Sequence, residues 1–105
     1  MPNGESRNWI RFLMTLEGFY AVYGKWPTEN RLYRFFIREL QGKLSIEDFR
    51  RLQSKIKLVP DEENPFLSID EERNTFDYAR GGMPHRDPSI NAIGWLEITE
   101  PDYFD

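Results

Sequence analysis

Apolar residues recur at three- and four-residue steps through the first quarter of the chain. Trp9, Phe12, Leu13, Leu16, Phe19, Tyr20 and Tyr23 share one helical face, which predicts a first helix over about 8–23. Ser6 is placed to cap its start, and Gly24 suits the left-handed position past its end. Gly18 inside this helix costs about 1 kcal/mol relative to alanine, so it marks an expected close approach of another backbone. Trp26-Pro27-Thr28-Glu29 reads as the next start signal. Pro27 keeps Trp26 out of helical geometry, Thr28 can cap the exposed amides, and Glu29 meets the positive end of the helix dipole. A second helix is expected over about 29–41, with Leu32, Phe35, Phe36 and Leu40 inward and Gly42 closing it. Ser45 then opens a third helix over about 46–56, with Asp48 in the capping-box position and Leu44 placed to staple onto Phe49. Ile46, Phe49, Leu52 and Ile56 keep helical spacing, and about four residues including a glycine join helices two and three.

After Lys57 the period changes to two. Leu58-Val59 is a short β-prone stretch stopped by Pro60, and residues 61–65 form a loop. Pairing Phe66–Asp70 with Thr75–Ala79 around Glu71–Asn74 places Leu67, Ile69, Phe76 and Tyr78 on one face and Ser68, Asp70, Thr75 and Asp77 on the other. That alternation predicts a hairpin over about 66–79, with Asn74 taking the left-handed turn position. Residues 80–94 read as loop, and Trp95–Thr99 alternates like a short strand before Pro101. Tyr103-Phe104 are placed to pin the tail to the body. The expected fold class is α+β: a three-helix N-terminal half with a helix-turn-helix-like turn, a β-hairpin and an irregular C-terminal tail, all in one domain, 1–105.

Composition supports one core. Eight Phe, five Tyr and three Trp in 105 residues supply large side chains at roughly 150–250 Å² each. The absence of cysteine removes thiol nucleophiles, Cys-based zinc sites and disulfide scaffolding together. The polar first eight residues lack a secretory apolar region, and the longest apolar run, Phe19–Tyr23, is far short of the ~20 residues a membrane span needs. A cytoplasmic, non-membrane protein is expected. The net charge of −4 hides a split: residues 1–57 carry +5 and residues 58–105 carry −9. Halves so different are expected to face different partners, or each other.

Chemistry of the catalytic kind finds little support. His85 is the single histidine, between Pro84 and Arg86 in an expected loop, and reads as an ordinary surface residue. No carboxylate spacing resembles a calcium loop or a zinc helix. Gly81-Gly82-Met83-Pro84 lacks the Gly-Lys-Ser/Thr end of a phosphate loop. No catalytic residue, metal, cofactor or small-molecule substrate is indicated, and a non-enzymatic role is expected.

Binding is better supported. Arg31, Arg34 and Arg38 fall at i, i+3 and i+7 of the expected second helix, and Arg50, Arg51, Lys55 and Lys57 add charge on and after the third. A row of guanidinium groups is suited to following phosphates; the plainer account is a solvated helix face, with Glu47 and Arg51 paired at i, i+4. Three helices with a tight turn between the second and third, followed by a hairpin, resemble the winged helix-turn-helix architecture in element order over about 8–79. The resemblance implies a nucleic-acid-binding regulator whose third helix enters the major groove with the hairpin beside it. Two features oppose it. Glu47 and Asp48 open the third helix, and the hairpin tip reads Asp70-Glu71-Glu72 with only Arg73 in offset. The alternative is a protein–protein interaction module using the basic face or the acidic C-terminal half, with Trp26, Tyr33 and Tyr103 as aromatic anchors.

Overall fold

A computed structural model describes residues 4–78 and 88–101. Expectations for Ala79, the glycine pair at 81–82, His85 and Tyr103-Phe104 fall outside the described residues. Helix α1 spans Gly4–Tyr23, so Ser6 lies inside the helix rather than at its cap. Of the periodic residues, Trp9, Phe12, Leu13, Leu16 and Phe19 are buried, Tyr20 is half-buried, and Tyr23, expected on the same face, is exposed in the last turn. Gly24 closes the helix at φ 73°, its N–H donating to Tyr20 O, a conformation open to glycine without a side-chain penalty.

The segment expected to begin helix two is instead strand β1, Glu29–Leu32. It pairs on both sides, parallel with β2 (Lys57–Pro60) and antiparallel with β3 (Leu67–Ile69), and β4 (Thr75–Asp77) pairs antiparallel with β3. The sheet order is β2-β1-β3-β4. Four residues, Glu-Asn-Arg-Leu, carry no decisive local preference, and two flanking strands that satisfy their amides and carbonyls override a capping signal at Thr28. Thr28 itself joins the ladder, donating N–H to Ile69 O and accepting from Lys57 N–H.

Helix α2 therefore starts later, at Arg34, and runs through Gly42 to Lys43. Only Leu44 and Ser45 separate it from α3, Ile46–Lys55, a tighter joint than the four-residue turn expected. Ser45 caps α3 as anticipated, its Oγ accepting from Asp48 N–H at 3.1 Å. Helix α4, Ala92–Leu96, replaces the strand expected at 95–99. Asn91 Oδ1 caps it through Gly94 N–H, and Ala92 and Leu96, four apart, turn into the core. The Glu17 carboxylate reaches across from α1 to accept Ala92 N–H at 3.1 Å, which ties the start of α4 to the first helix.

The hairpin is present, one residue out of the expected register. Ser68, not Ile69, lies opposite Phe76, and Leu67 lies opposite Asp77. The cause is the turn. Asp70 exchanges backbone bonds with Arg73 and Asn74, so the loop has three residues rather than four, and Arg73 at φ 68° takes the left-handed position assigned to Asn74. A one-residue shift changes which β3 side chain joins Phe76 on its face. Ser68 now shares that face beneath α1, and its hydroxyl is fully used there. It accepts from Asn30 Nδ2 at 2.8 Å and donates to Thr15 O at 2.9 Å, while Thr15 Oγ1 donates to Phe66 O. Next to it, α1 approaches so closely that Gly18 rests on the Phe76 ring. The close neighbour is an aromatic side chain, not a backbone.

The coarse α+β reading holds, the described residues forming four helices and a four-stranded mixed sheet. Helix α1 packs on β3 and β4, α2 and α3 on β2, and α4 on α1 and α3. The hairpin is the outer half of that sheet rather than a free-standing wing. No described helix is long and apolar enough to cross a membrane.

Candidate binding face

The three arginines expected on one helix are split between two elements. Arg31 lies on β1, and its side chain is taken up by the protein's own carboxylates: Nε meets Glu29 Oε2 and Nη1 meets Asp61 Oδ2, both at 3.0 Å. It braces a loop instead of facing a partner. Asp61 is the loop's hub, since its Oδ1 also accepts the N–H groups of Glu63 and Asn64. The Asn64 N–H, then the Arg31 guanidinium, hold the Asp61 carboxyl below its ordinary range. This Asx-type turn carries the acidic run 61–63 alongside the start of α2. There Glu62 Oε1 accepts the Arg34 N–H at 3.1 Å, supplying the cap that Tyr33 does not provide.

Arg34 and Arg38, four residues apart on α2, are exposed and form no ion pair with a described residue. Between them in sequence is Phe35, expected in the core but 55% exposed. With Leu32 on the strand, Phe36 and Leu40 define the inner face of α2, and Phe35, about 100° around the helix from Phe36, turns outward. Its ring stacks on Tyr33 at 5.4 Å and 20°. Tyr33, Arg34, Phe35 and Arg38 thus form one patch, with two free cations around a flat aromatic pair.

The remaining basic candidates do not extend this patch into a stripe. Arg50 is exposed on α3 and Lys57 is exposed on β2, while Lys55 is half-buried. Arg51 pairs with Asp48 at 2.8 Å. Asp48 also accepts Thr99 N–H, so one of the two carboxylates at the start of α3 is spent inside the molecule. Ile46, expected inward, is 74% exposed at that helix start. At the hairpin tip, Lys25 meets Asp70 at 3.0 Å and Glu72 at 2.7 Å, offsetting an acidic cluster that Arg73 alone was expected to balance. Trp26, considered as an anchor, lies between Tyr20 and Trp95, each ring 4.6 Å away, and serves internal packing.

No group of three or more metal-ligating side chains occurs among the described residues. Asp61 and Glu62 escaped the sequence reading as structural partners of the arginines, although Asp61-x-x-Asn64 is a visible turn signal. No family model, curated protein or solved structure matches this chain.

Proposed function

We propose that the chain is a non-enzymatic binding domain that docks a protein partner through the α2 patch, with Arg34 and Arg38 receiving carboxylates around the Tyr33–Phe35 pair. The observation that carries this is Phe35, 55% exposed and stacked on Tyr33 between two uncommitted guanidinium groups. Aromatic rings and arginines are the residue types that dominate binding energy at protein interfaces. The acidic loop 61–63, bonded to both Arg31 and Arg34, sits against the same end of α2. A phosphate backbone following 31, 34 and 38 would meet those carboxylates, whereas a protein surface of mixed charge can complement both.

A winged-helix-like nucleic-acid regulator is the second proposal, favoured by the exposure of Arg34, Arg38, Arg50 and Lys57 and by the two-residue joint between α2 and α3. One experiment separates the two. The wild-type chain and a Phe35→Ala/Arg38→Gln variant are immobilised and exposed to nuclease-treated and untreated lysate. Specific proteins held by the wild type and lost from the folded variant are expected, regardless of nuclease. Retention that disappears with nuclease supports the regulator, and equal retention by both chains overturns the α2 patch.

A further inference from the structure

Two exposed side chains at the start of α3 have no role inside the molecule. Ile46 is 74% exposed and opens the helix directly after the Ser45 cap. Glu47 beside it is exposed as well. Glu47 and Arg51 stand at i, i+4, but Arg51 pairs instead with Asp48 at 2.8 Å, and Glu47 forms no ion pair with a described residue. A single exposed isoleucine is ordinary. An isoleucine next to an unpaired carboxylate, however, is the chemical inverse of the α2 patch, where an aromatic pair lies between two unpaired guanidinium groups.

The two features are kept apart within one chain. Helix α2, ten residues and about 15 Å long, has Arg34 and Phe35 at one end, and Ile46 and Glu47 lie just past the other. Both are set in advance. Tyr33 sits edge to face on buried Phe66 at 5.7 Å and 84°, so the ring beneath Phe35 is anchored in the core, and Ser45 fixes the first turn of α3. Ordered surfaces lose less freedom on binding. Gly42, seven residues on from Phe35 and so on the same side of α2, leaves open space: nothing beyond the local helix backbone lies within 4 Å of where its Cβ would stand. A second helix can approach closely there.

We propose that the α2 patch is filled by a second copy of this chain, which brings its Ile46 onto Phe35 and its Glu47 to Arg34. The inference rests on α2 being the docking face, as proposed above, and names the occupant. Packing the two α2 helices antiparallel sets each Phe35 at the far end of the other α2, where the second copy's Ile46 lies, so one twofold arrangement makes both contacts twice. Arg38 then approaches the carbonyl end of the second copy's α2, the end of a helix that favours a cation. Patches this small bury less than roughly 1,200 Å² in total, which places the pair in the weak, reversible class.

The full-length chain is followed by sedimentation from about 10 µM to about 1 mM, and a reversible rise from monomer to dimer is expected. Phe35→Ala and Ile46→Ala, both at exposed positions and checked for folding by circular dichroism, should each weaken association at least about fivefold. Arg34→Glu and Glu47→Arg should each weaken it too, through like charges set face to face. An equimolar mixture of those two folded variants should recover to within about threefold of wild type, because each then opposes the other's reversed charge. A chain that stays monomeric throughout, or a dimer indifferent to Ile46→Ala and to the mixture, overturns the proposal. If the monomeric chain still holds lysate proteins through Phe35 and Arg38, the docking face stands with a different occupant; if it holds none, both readings fall.

Discussion

Gly18→Ala puts two sizeable effects in direct opposition. Alanine in a helix interior is favoured over glycine by about 1 kcal/mol, so in an unobstructed helix the change stabilises. Here a Cβ on Gly18 would fall 2.5 Å from Phe76 Cε1, 3.0 Å from Cε2 and closer still to Cζ, against a comfortable carbon–carbon separation of about 3.5–4.0 Å. The ring must retreat by about an ångström. It is 7% exposed and held between α1 and its own strand, so the move disturbs either the rotamer or the α1–sheet distance. Overpacking of this sort costs about 1–3 kcal/mol. With an overlap this large the upper half of that range applies, leaving a net loss of about 1–2 kcal/mol after the helix gain. For a domain of this size that lowers Tm by about 5–15 °C. Circular dichroism melts and urea titrations measure it. The decisive comparison is the Phe76→Leu background, where the obstructing ring is gone and the same Gly18→Ala change should turn stabilising by about 0.5–1 kcal/mol. An increase in stability in the wild-type background, or the same sign in both, refutes the close-contact account.

Two further outcomes follow from the hydrogen-bonded groups. Ser68→Ala should cost about 1–3 kcal/mol in urea unfolding, because fully buried Asn30 loses its only amide acceptor while its Oδ1 already has no partner among the described residues; adding Asn30→Leu should recover much of that loss. At the hairpin tip, burial alone would raise the Asp70 carboxyl, but the Asn74 side-chain amide, Lys25 and the Asn74 N–H outweigh it and hold the group at about 2, below its ordinary 3.8. A depressed acid adds stability that is complete above its unfolded value and lost as pH falls through the folded one. The Tm advantage of wild type over Asp70→Asn should therefore be constant above about pH 5, shrink between 4 and 2, and vanish below 2.

What the residues disclosed depended on the range over which their signals act. The body and end of helix α1, the Gly24 stop, the Ser45 cap and the presence of a hairpin all follow from contacts within a few residues and appear where the pattern puts them, while the start of α1 lies ahead of the Ser6 cap it was given. Strand β1 is different: its conformation is decided by pairing with residues 57–60 and 67–69, and a local start signal at Thr28 could not anticipate that. The same error misplaced Arg31 and turned Phe35 inward. The hairpin register failed by a single loop residue, with the odd consequence that the buried member of β3 opposite Phe76 is a serine. At 95–99, two-residue alternation in so short a segment gave way to the Asn91 cap and the four-residue spacing of Ala92 and Leu96. Of the candidate site, Arg34 and Arg38 were legible as free cations on α2. The Tyr33–Phe35 stack was not, since the expected helix put Phe35 inward and only the late start of α2 turns it out.

The two margins of the sheet limit how anything can attach to it. One margin is β2, four residues long with Lys57 at one end and Pro60 at the other, and the opposite one, β4, has three residues. A lysine resists an approaching strand's burial, a proline offers no amide, and three residues give too short a template for a growing ladder. Backbone-templated stacking of copies into fibrils is thereby discouraged along both described margins, and anything that docks there must do so through side chains.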